Sequence, residues 1–291
     1  MGQLNIAGIL LSELTTTVPR SRVTEPELVM DDPSQVAAYA QAGREGGSLA
    51  PLYLYHTGML AELIRPGDLV VDLACGPANQ LAQVARVNPE ARFLGIDLAP
   101  GMLAQARELV AGQALDNVEF KLCDISNLAF LPDHSVDVIM STLSMHHLPD
   151  AALLGRVFDE IARVLKPGGA IYVADLGQLK SERSIAMFAG QYADDQPAVF
   201  TQDYLNSMRA AFSVGDFRRA SLPIADMARV QSTFMVPYMV VVRSAPRREW
   251  SASLHDTLRA MKAALPAHQR RDLWSLRQFF RLGGVSSRYL A

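Results

Sequence analysis

The chain has 291 residues, 49% of them apolar, and 27 Lys or Arg set against 30 Asp or Glu give a net charge of −3. That length and apolar content bury a sizeable core, which excludes disorder as the main state and fits one large domain with appendages. The slight acidity supplies no basic face for collecting phosphates, so nucleic acid is not an expected partner. Two cysteines, Cys75 and Cys123, cannot build a disulfide framework, and no His or Cys cluster has zinc spacing, so no metal is expected. The apolar-rich run Leu4 to Leu14 has no basic flank, carries Asn5, Ser12 and Glu13, and leads to no small-residue cleavage pattern. Ile6 stands where a myristoylation signal needs Ser or Thr. With no uncharged apolar run long enough to span a bilayer, the expectation is a soluble cytoplasmic protein without a membrane partner.

Residues 1 to 65 read as helical, broken at Pro19, Pro26, Pro33 and the Gly43 to Gly47 region. Short apolar runs and helical patterns then alternate, the signal for a parallel sheet with crossover helices. Asp68 to Ala74 (DLVVDLA) reads as a buried strand ending in Cys75-Gly76-Pro77, and Asn79 to Val87 as the helix it feeds. Arg92 to Asp97 is a second strand and Pro100 to Val110 its helix, with Pro100 suited to a first turn. Val118 to Leu122, Val136 to Ser141 and Ala170 to Leu176 are three further strands, and the helix Ala151 to Leu165 stops at Lys166-Pro167-Gly168-Gly169. Ser181 to Ala193 and Thr201 to Phe212 are expected helices. Phe217 to Leu222 and Thr233 to Arg243 are expected to form an antiparallel hairpin at the sheet edge. From Pro246 a tail carries two amphipathic helices, Glu249 to Leu265 and His268 to Leu282.

The most informative segment is Val70 to Gln80 (VVDLACGPANQ), followed by Gly95-Ile96-Asp97. A strand that ends in small residues and opens a helix brings backbone N–H groups and a positive dipole end to a ligand. Gly76 lets the backbone approach closely. An acid 21 residues later, at the tip of the next strand, can hold a ribose diol by two hydrogen bonds. Together the two features imply an adenosine-type cofactor. The G-x-G-x-x-G that seats a pyrophosphate is missing; Ala74, Gly76 and Ala78 stand at alternate positions after Asp72 instead.

In this pattern the sequence resembles the class I S-adenosylmethionine-dependent methyltransferases, whose motif is a strand acid followed by G-x-G-x-G, here with alanine at the first and third glycine. The likeness continues in order: DLAPGML at Asp97 to Leu103, Cys123-Asp124-Ile125, SVDVIMSTLSMHHL at Ser135 to Leu148, and LKPGGAIYVADL at Leu165 to Leu176. It is similar in particular to bacterial small-molecule methyltransferases. The resemblance implies an α/β, doubly wound, Rossmann-like sheet of seven mostly parallel strands with an antiparallel edge hairpin. Residues 1–65 would form an N-terminal helical lid, 66–245 the cofactor domain with an acceptor-pocket insertion at 177–212, and 246–291 a C-terminal helical extension. It further implies methyl transfer from S-adenosylmethionine to a small organic acceptor through O, N, S or C. Asp97 would hold the ribose, Leu98 and Met102 flank the adenine, Asp124 meet its amino group and Ile125 its ring, and Ser141 offer its backbone to the methionine end. Gly76 and Ala74 would line the turn.

The chemistry needs alignment and exclusion of water, with a general base only when the acceptor keeps its proton near neutral pH. His147 and His146, after the fourth strand, are candidates for that base, with packing and helix capping as the plain alternative. Asp72 either contacts the cofactor's amino group or bonds the loop, and Asp124 is a ligand contact or a solvated turn. Tyr39 or Arg44, on the helix Val36 to Arg44, reaches the cofactor carboxylate or lies on a surface helix; Tyr53, Tyr55 and His56 form a second group in the same lid. In the insertion, Tyr192, Asp194, Asp195, Tyr204 and Asn206 are acceptor-pocket candidates, with Tyr192 also a catalytic one, and Met187, Phe188, Phe200 and Met208 line a cavity or fill core. The basic stretches at Ala245 to Arg248 and His268 to Asp272 steer an anion or are solvated. The apolar side of the tail packs on its own domain or builds a homodimer. Three other readings stay open: a non-methyl reaction on the same cofactor, a non-catalytic partner of another methyltransferase, and a nicotinamide dehydrogenase.

Overall fold

The computed structural model describes residues 5–26, 29–194 and 196–290. Asp195 and the side chain of Tyr192, both candidates for the acceptor pocket, lie outside the described residues, as does Leu4 at the head of the apolar run. Seven strands form one sheet: β1 (Leu69–Leu73), β2 (Arg92–Asp97), β3 (Val118–Leu122), β4 (Val136–Thr142), β5 (Leu165–Leu176), β6 (Ala228–Ser232) and β7 (Met239–Ser244), in the order β3-β2-β1-β4-β5-β7-β6. The first five are parallel, and β7 pairs antiparallel with both β5 and β6. Because β1 is flanked by β2 and β4, the crossovers leave β1 in opposite directions and open a crevice at the carboxyl ends of the strands, where such sheets bind ligands.

Helices cover both faces because successive strand residues point to opposite sides. Val70, Val138, Met140 and Tyr172 join one core with α3 (Ala50–Leu60) and α4 (Asn79–Val87). Val71, Ile139, Ile171 and Val173 join the other with α6 (Ala151–Val164) and α9 (Val214–Ala220). In α6, Leu154, Val157, Phe158, Ile161 and Val164 recur at helical spacing and are buried. Its start is fixed by Asp150, which accepts from the Leu153 N–H at 2.8 Å. The remaining helices are α1 (Ile6–Thr15), α2 (Pro33–Ala42), α5 (Pro100–Gly112), α7 (Glu182–Ala189), α8 (Ala198–Ala210), α10 (Ala252–Ala264) and α11 (Ala267–Leu282). None of the described helices is long and apolar enough to cross a membrane.

The edge hairpin exists, but its first arm is β6 rather than Phe217 to Leu222. That stretch is the helix α9, because Ser213 and Asp216 close a capping box across its first turn and Phe217 packs edge-on against Phe212. Thr233 to Tyr238, expected as strand, is a turn. Pro237 has no N–H to donate, Met235 has φ 61°, and the Thr233 hydroxyl donates to the Val236 carbonyl at 2.7 Å.

Most of the tail's apolar side is covered by the chain itself, while Trp274 on α11 is 60% exposed. Phe280 stacks on Tyr55 of α3 at 4.4 Å, and Leu254, Leu258, Leu273 and Leu290 join the same core. Leu290 lies so close to Gly58 that a Cβ there would stand 2.5 Å from it. A buried ion pair, Arg243 to Glu62 at 3.0 Å, and the Arg288 N–H to Glu62 at 2.6 Å tie tail, sheet and α3 together. Arg247 pairs with Asp68 at 2.9 Å and Arg248 donates to Asn88 at 2.6 Å, so the basic stretch after Ala245 is spent internally. Residues 50–60, expected within the lid, are buried in the main core.

Candidate active site

The turn from β1 to α4 shows what the alanines do. Ala74, Gly76 and Ala78 have φ of 56°, 54° and 62°, so all three alternate positions adopt the left-handed conformation that glycine takes freely. The backbone of a triple-glycine turn is therefore kept, with two alanines bearing its strain. At its centre the Gly76 N–H donates to Asp97 Oδ2 at 2.7 Å, and the Ala99 N–H donates to Oδ1 at 2.9 Å. Asp97 thus joins the tips of β1 and β2 with both oxygens fixed; burial pushes its carboxyl up, against the pull of these backbone bonds. Asp72, one layer below, is pushed well above the usual carboxylate range by burial and then by the charge of Asp97.

The helix α2 lies over this turn. A Cβ on Gly76 would meet only the Tyr39 ring, at 3.9 Å. The Tyr39 hydroxyl is hydrogen-bonded to Tyr53 and feels the charges of Asp175, Asp97 and Asp72, and burial pushes it up to about 12. Two polar ties seat the segment: Asn79 donates to the Ala40 carbonyl at 3.1 Å, and the Gly101 N–H donates to Asp31 at 2.8 Å. Arg44, the alternative to Tyr39, is exposed beyond the end of α2. The expected lid aromatics divide: Tyr53 supports Tyr39, Tyr55 stacks on the tail, and His56 bonds Tyr172 at 2.7 Å in the core.

Towards the outer edge, Leu98 is 42% exposed beside Asp97, whereas Met102 is buried against Val36 and Ala99 beneath α2. Asp97 is in register with Leu122 of β3, so Cys123, Asp124 and Ile125 follow at the same edge. Asp124 is exposed and accepts from the Ser126 N–H at 2.8 Å, and Ile125 is buried. On the other side, the buried Ser141 hydroxyl donates to the Leu73 carbonyl at 2.7 Å and accepts from Ser144 at 2.6 Å, bracing β4 against β1.

Beyond β4 a single 3-10 turn, Met145–His147, carries both histidines. Asp175, at the end of β5, grips His146 twice: Oδ2 accepts its backbone N–H at 2.9 Å and Oδ1 its Nδ1–H at 2.6 Å. Burial pushes the His146 imidazole down, but the charge and hydrogen bond of Asp175, together with Glu25, outweigh it and leave it above its ordinary value. The His147 ring lies 4.4 Å from that of His146, and burial and then His146 hold it well below the usual range. The preferred base candidate, His147, is thus the poorer proton acceptor of the two. Neither Asp175 nor Glu25 was a sequence candidate. Asp175 had a signal, as an acid at the carboxyl end of a parallel strand; Glu25 had none, since only the fold brings it to His146 and His147, far along the chain.

A cavity of about 410 Å³ is walled by Leu52, Phe188, Phe200, Tyr204, Tyr238 and Phe279. Of the insertion candidates, Tyr204 and Phe200 line it, while Asp194 is exposed and Asn206 accepts from Gln202 at 3.1 Å. None of the cofactor-turn residues lines this space; Phe200, which does, has its ring 6.1 Å from that of Tyr39.

A doubly wound sheet with a glycine-type turn after β1, an acid at the tip of β2 and its crevice between β1 and β4 defines a nucleoside-binding α/β protein. Residues 70–169 match the family described as "Methyltransferase domain". Among curated proteins, the chain is 38% identical over 114 residues to an arsenite methyltransferase of Halobacterium salinarum, covering 39% of this chain and 28% of that one. It is 37% identical over 125 residues to a trans-aconitate 2-methyltransferase of Methylobacterium nodulans, covering 42% and 44%. The chain therefore spans less than half the length of these relatives. A solved S-adenosylmethionine-dependent methyltransferase from Aquifex aeolicus shares the fold at a TM-score of 0.51 and 21% identity, covering 75% of this chain and all of that one.

Proposed function

We propose that this protein transfers a methyl group from S-adenosylmethionine to a small organic acceptor. The observation that carries the reading is the turn at Ala74, Gly76 and Ala78, left-handed at all three positions and locked by the Gly76 N–H to Asp97. The fit to the cofactor rests on that cradle: a buried carboxylate held by backbone donors beside a glycine that a side chain would crowd only against Tyr39. When bound, S-adenosylmethionine supplies an electrophilic methyl on a sulfonium. Asp97 accepts the ribose hydroxyls on the lone pairs its backbone bonds leave free. Leu98, Met102 and Ile125 border the adenine and Asp124 meets its amino group; Asp72, the Ser141 backbone and Tyr39 hold the methionine end. The corner of His146 and His147 handles the acceptor's proton, and the apolar cavity beside Phe200 holds the acceptor's body.

On this reading the cap is residues 5–49, over a cofactor domain that includes α3, and residues 246–290 brace it. Every residue named for the site then comes from one chain, and the tail packs in part on α3. The two thiols are free and sit on site loops, which fits a reducing cytoplasm. Calorimetry with S-adenosylhomocysteine tests the reading, with one site expected per chain. Absence of binding, with stabilisation by NAD instead, would overturn it.

A further inference from the structure

Three side chains from distant parts of the chain meet beside β4: Glu25, His146 and His147 offer ligand atoms that all lie within 4.8 Å of one another. We propose that they bind a divalent transition-metal ion of the zinc class. Four observations point there. First, the bond from His146 Nδ1–H to Asp175 fixes the tautomer of the neutral ring, in which Nε2 carries the free lone pair that a metal ion would take in place of a proton. A carboxylate behind an imidazole is the usual support of a metal-ligating histidine. Second, His147 Nδ1 and Glu25 Oε1 are buried polar atoms without a hydrogen-bond partner, a cost that a bound cation removes. Third, the Arg22 guanidinium acts on Glu25 through its charge but spends its N–H donors on other groups. Arg22 donates to the carbonyls of Ala210, Pro149, His146 and Leu148 and lies over the Phe212 ring, and no salt bridge joins it to Glu25 among the described residues. Fourth, two imidazoles and one carboxylate are a donor set for zinc and its neighbours, and three protein ligands leave a position open for a further group.

Ligand atoms around an ion at about 2.0 to 2.1 Å stand roughly 3.4 Å apart, so the triad closes by small rotations of its side chains. Tyr39 feels the charge of Asp175, the carboxylate behind His146, as well as those of Asp97 and Asp72 at the cofactor turn. An acceptor hydroxyl or thiol entering the open position would lose its proton more readily, with the ion rather than an imidazole holding the oxygen or sulfur. The metal site stands on the triad's geometry; only this last role rests on the methyl-transfer reading.

The test uses the full chain, stripped with a chelator, desalted and titrated with zinc alone. One equivalent should bind, and the cobalt-loaded protein should show visible absorption bands. Glu25→Gln, which keeps the shape and the Ser207 contact, and His147→Ala should each weaken binding at least tenfold and lose the bands. Asp175→Asn should weaken it about tenfold to a hundredfold. His255→Ala, remote from the triad, should bind as the parent does. Melting followed by circular dichroism verifies that each variant is folded. Binding well below one equivalent in the parent, or one equivalent held equally by Glu25→Gln and His147→Ala, overturns the proposal. No cofactor enters the titration, so failure here is distinct from failure to bind S-adenosylhomocysteine.

Discussion

Replacing Asp97 probes the cofactor turn directly. Its Oδ2 accepts the Gly76 N–H at 2.7 Å and its Oδ1 the Ala99 N–H at 2.9 Å, so the carboxylate ties β1 to β2 and, on the proposed reading, offers its remaining lone pairs to the ribose. Asp97→Ala removes both functions and orphans two N–H groups. Asp97→Asn keeps one acceptor oxygen and most of the shape, and isolates the loss of charge and of one acceptor. Two charge-assisted hydrogen bonds to the ligand are worth about 2–3 kcal/mol together, roughly a 30- to 150-fold rise in Kd. Calorimetry with S-adenosylhomocysteine should show that loss in Asp97→Ala and a smaller one in Asp97→Asn, with denaturant melts run alongside. An analogue lacking a ribose hydroxyl should bind less tightly to the parent but lose little further in Asp97→Asn. If both variants keep the parent Kd while their stability falls, Asp97 is a structural clamp and does not grip the ribose.

The two alanines of the turn give opposed contributions when replaced by glycine. The left-handed conformation costs about 1–2 kcal/mol and added chain entropy returns about 0.4–1, so Ala74→Gly should stabilise by about 0.5–1 kcal/mol in urea melts. Ala78→Gly also gives up a fully buried methyl worth about 0.8 kcal/mol and should come out near neutral; a destabilised Ala74→Gly would refute the strain argument. His56, held down to about 3 by burial, stays neutral in the fold, while the unfolded chain takes up a proton below about 6.5. Its contribution is therefore present above pH 6.5 and lost as pH falls from there towards 3, about 2 kcal/mol by pH 5. His56→Gln should lose less stability than the parent between pH 8 and 5 by that amount, and equal losses would place the titration elsewhere. Glu62→Gln leaves Arg243 buried without its counter-charge and should cost about 3–5 kcal/mol, with a change below 1 kcal/mol showing that the pair is dispensable.

What could be read from the sequence was what is encoded over short distances. β2 and β3 fall on their expected residues, and β1, β4 and α6 within one or two, because strand and helix periods and their stops are local. The position of Gly76, Asp97 and Asp124 at one edge of the sheet was legible for the same reason: each lies at or just past the carboxyl end of a strand. Phe217 to Leu222 was misread because Phe and Leu suit a strand, while the capping box at Ser213 and Asp216 lies just ahead of them. The triad was illegible, since its members come from a loop before α2 and a turn after β4. The fate of the tail was illegible too, because an amphipathic helix encodes a need for cover and not the identity of what covers it.

The acceptor's proposed path follows from one helix. On α8, Phe200, Tyr204 and Ser207 lie at i, i+4 and i+7 and so share a face, spanning about 10 Å along the axis. Phe200 and Tyr204 wall the apolar cavity, and Ser207 hydrogen-bonds Glu25 at the polar corner. A single rigid element thus carries apolar surface at one end and joins a charged, metal-competent cluster at the other. Tyr39 connects that element to the cofactor turn, its ring near Phe200 on one side and Gly76 on the other. An acceptor with an apolar body and one ionisable group would place the body by burial and the group by charge, which aligns its reactive atom without a long list of specific contacts. The Tyr39 hydroxyl is hydrogen-bonded to Tyr53, which fixes that ring where it meets both Phe200 and the turn.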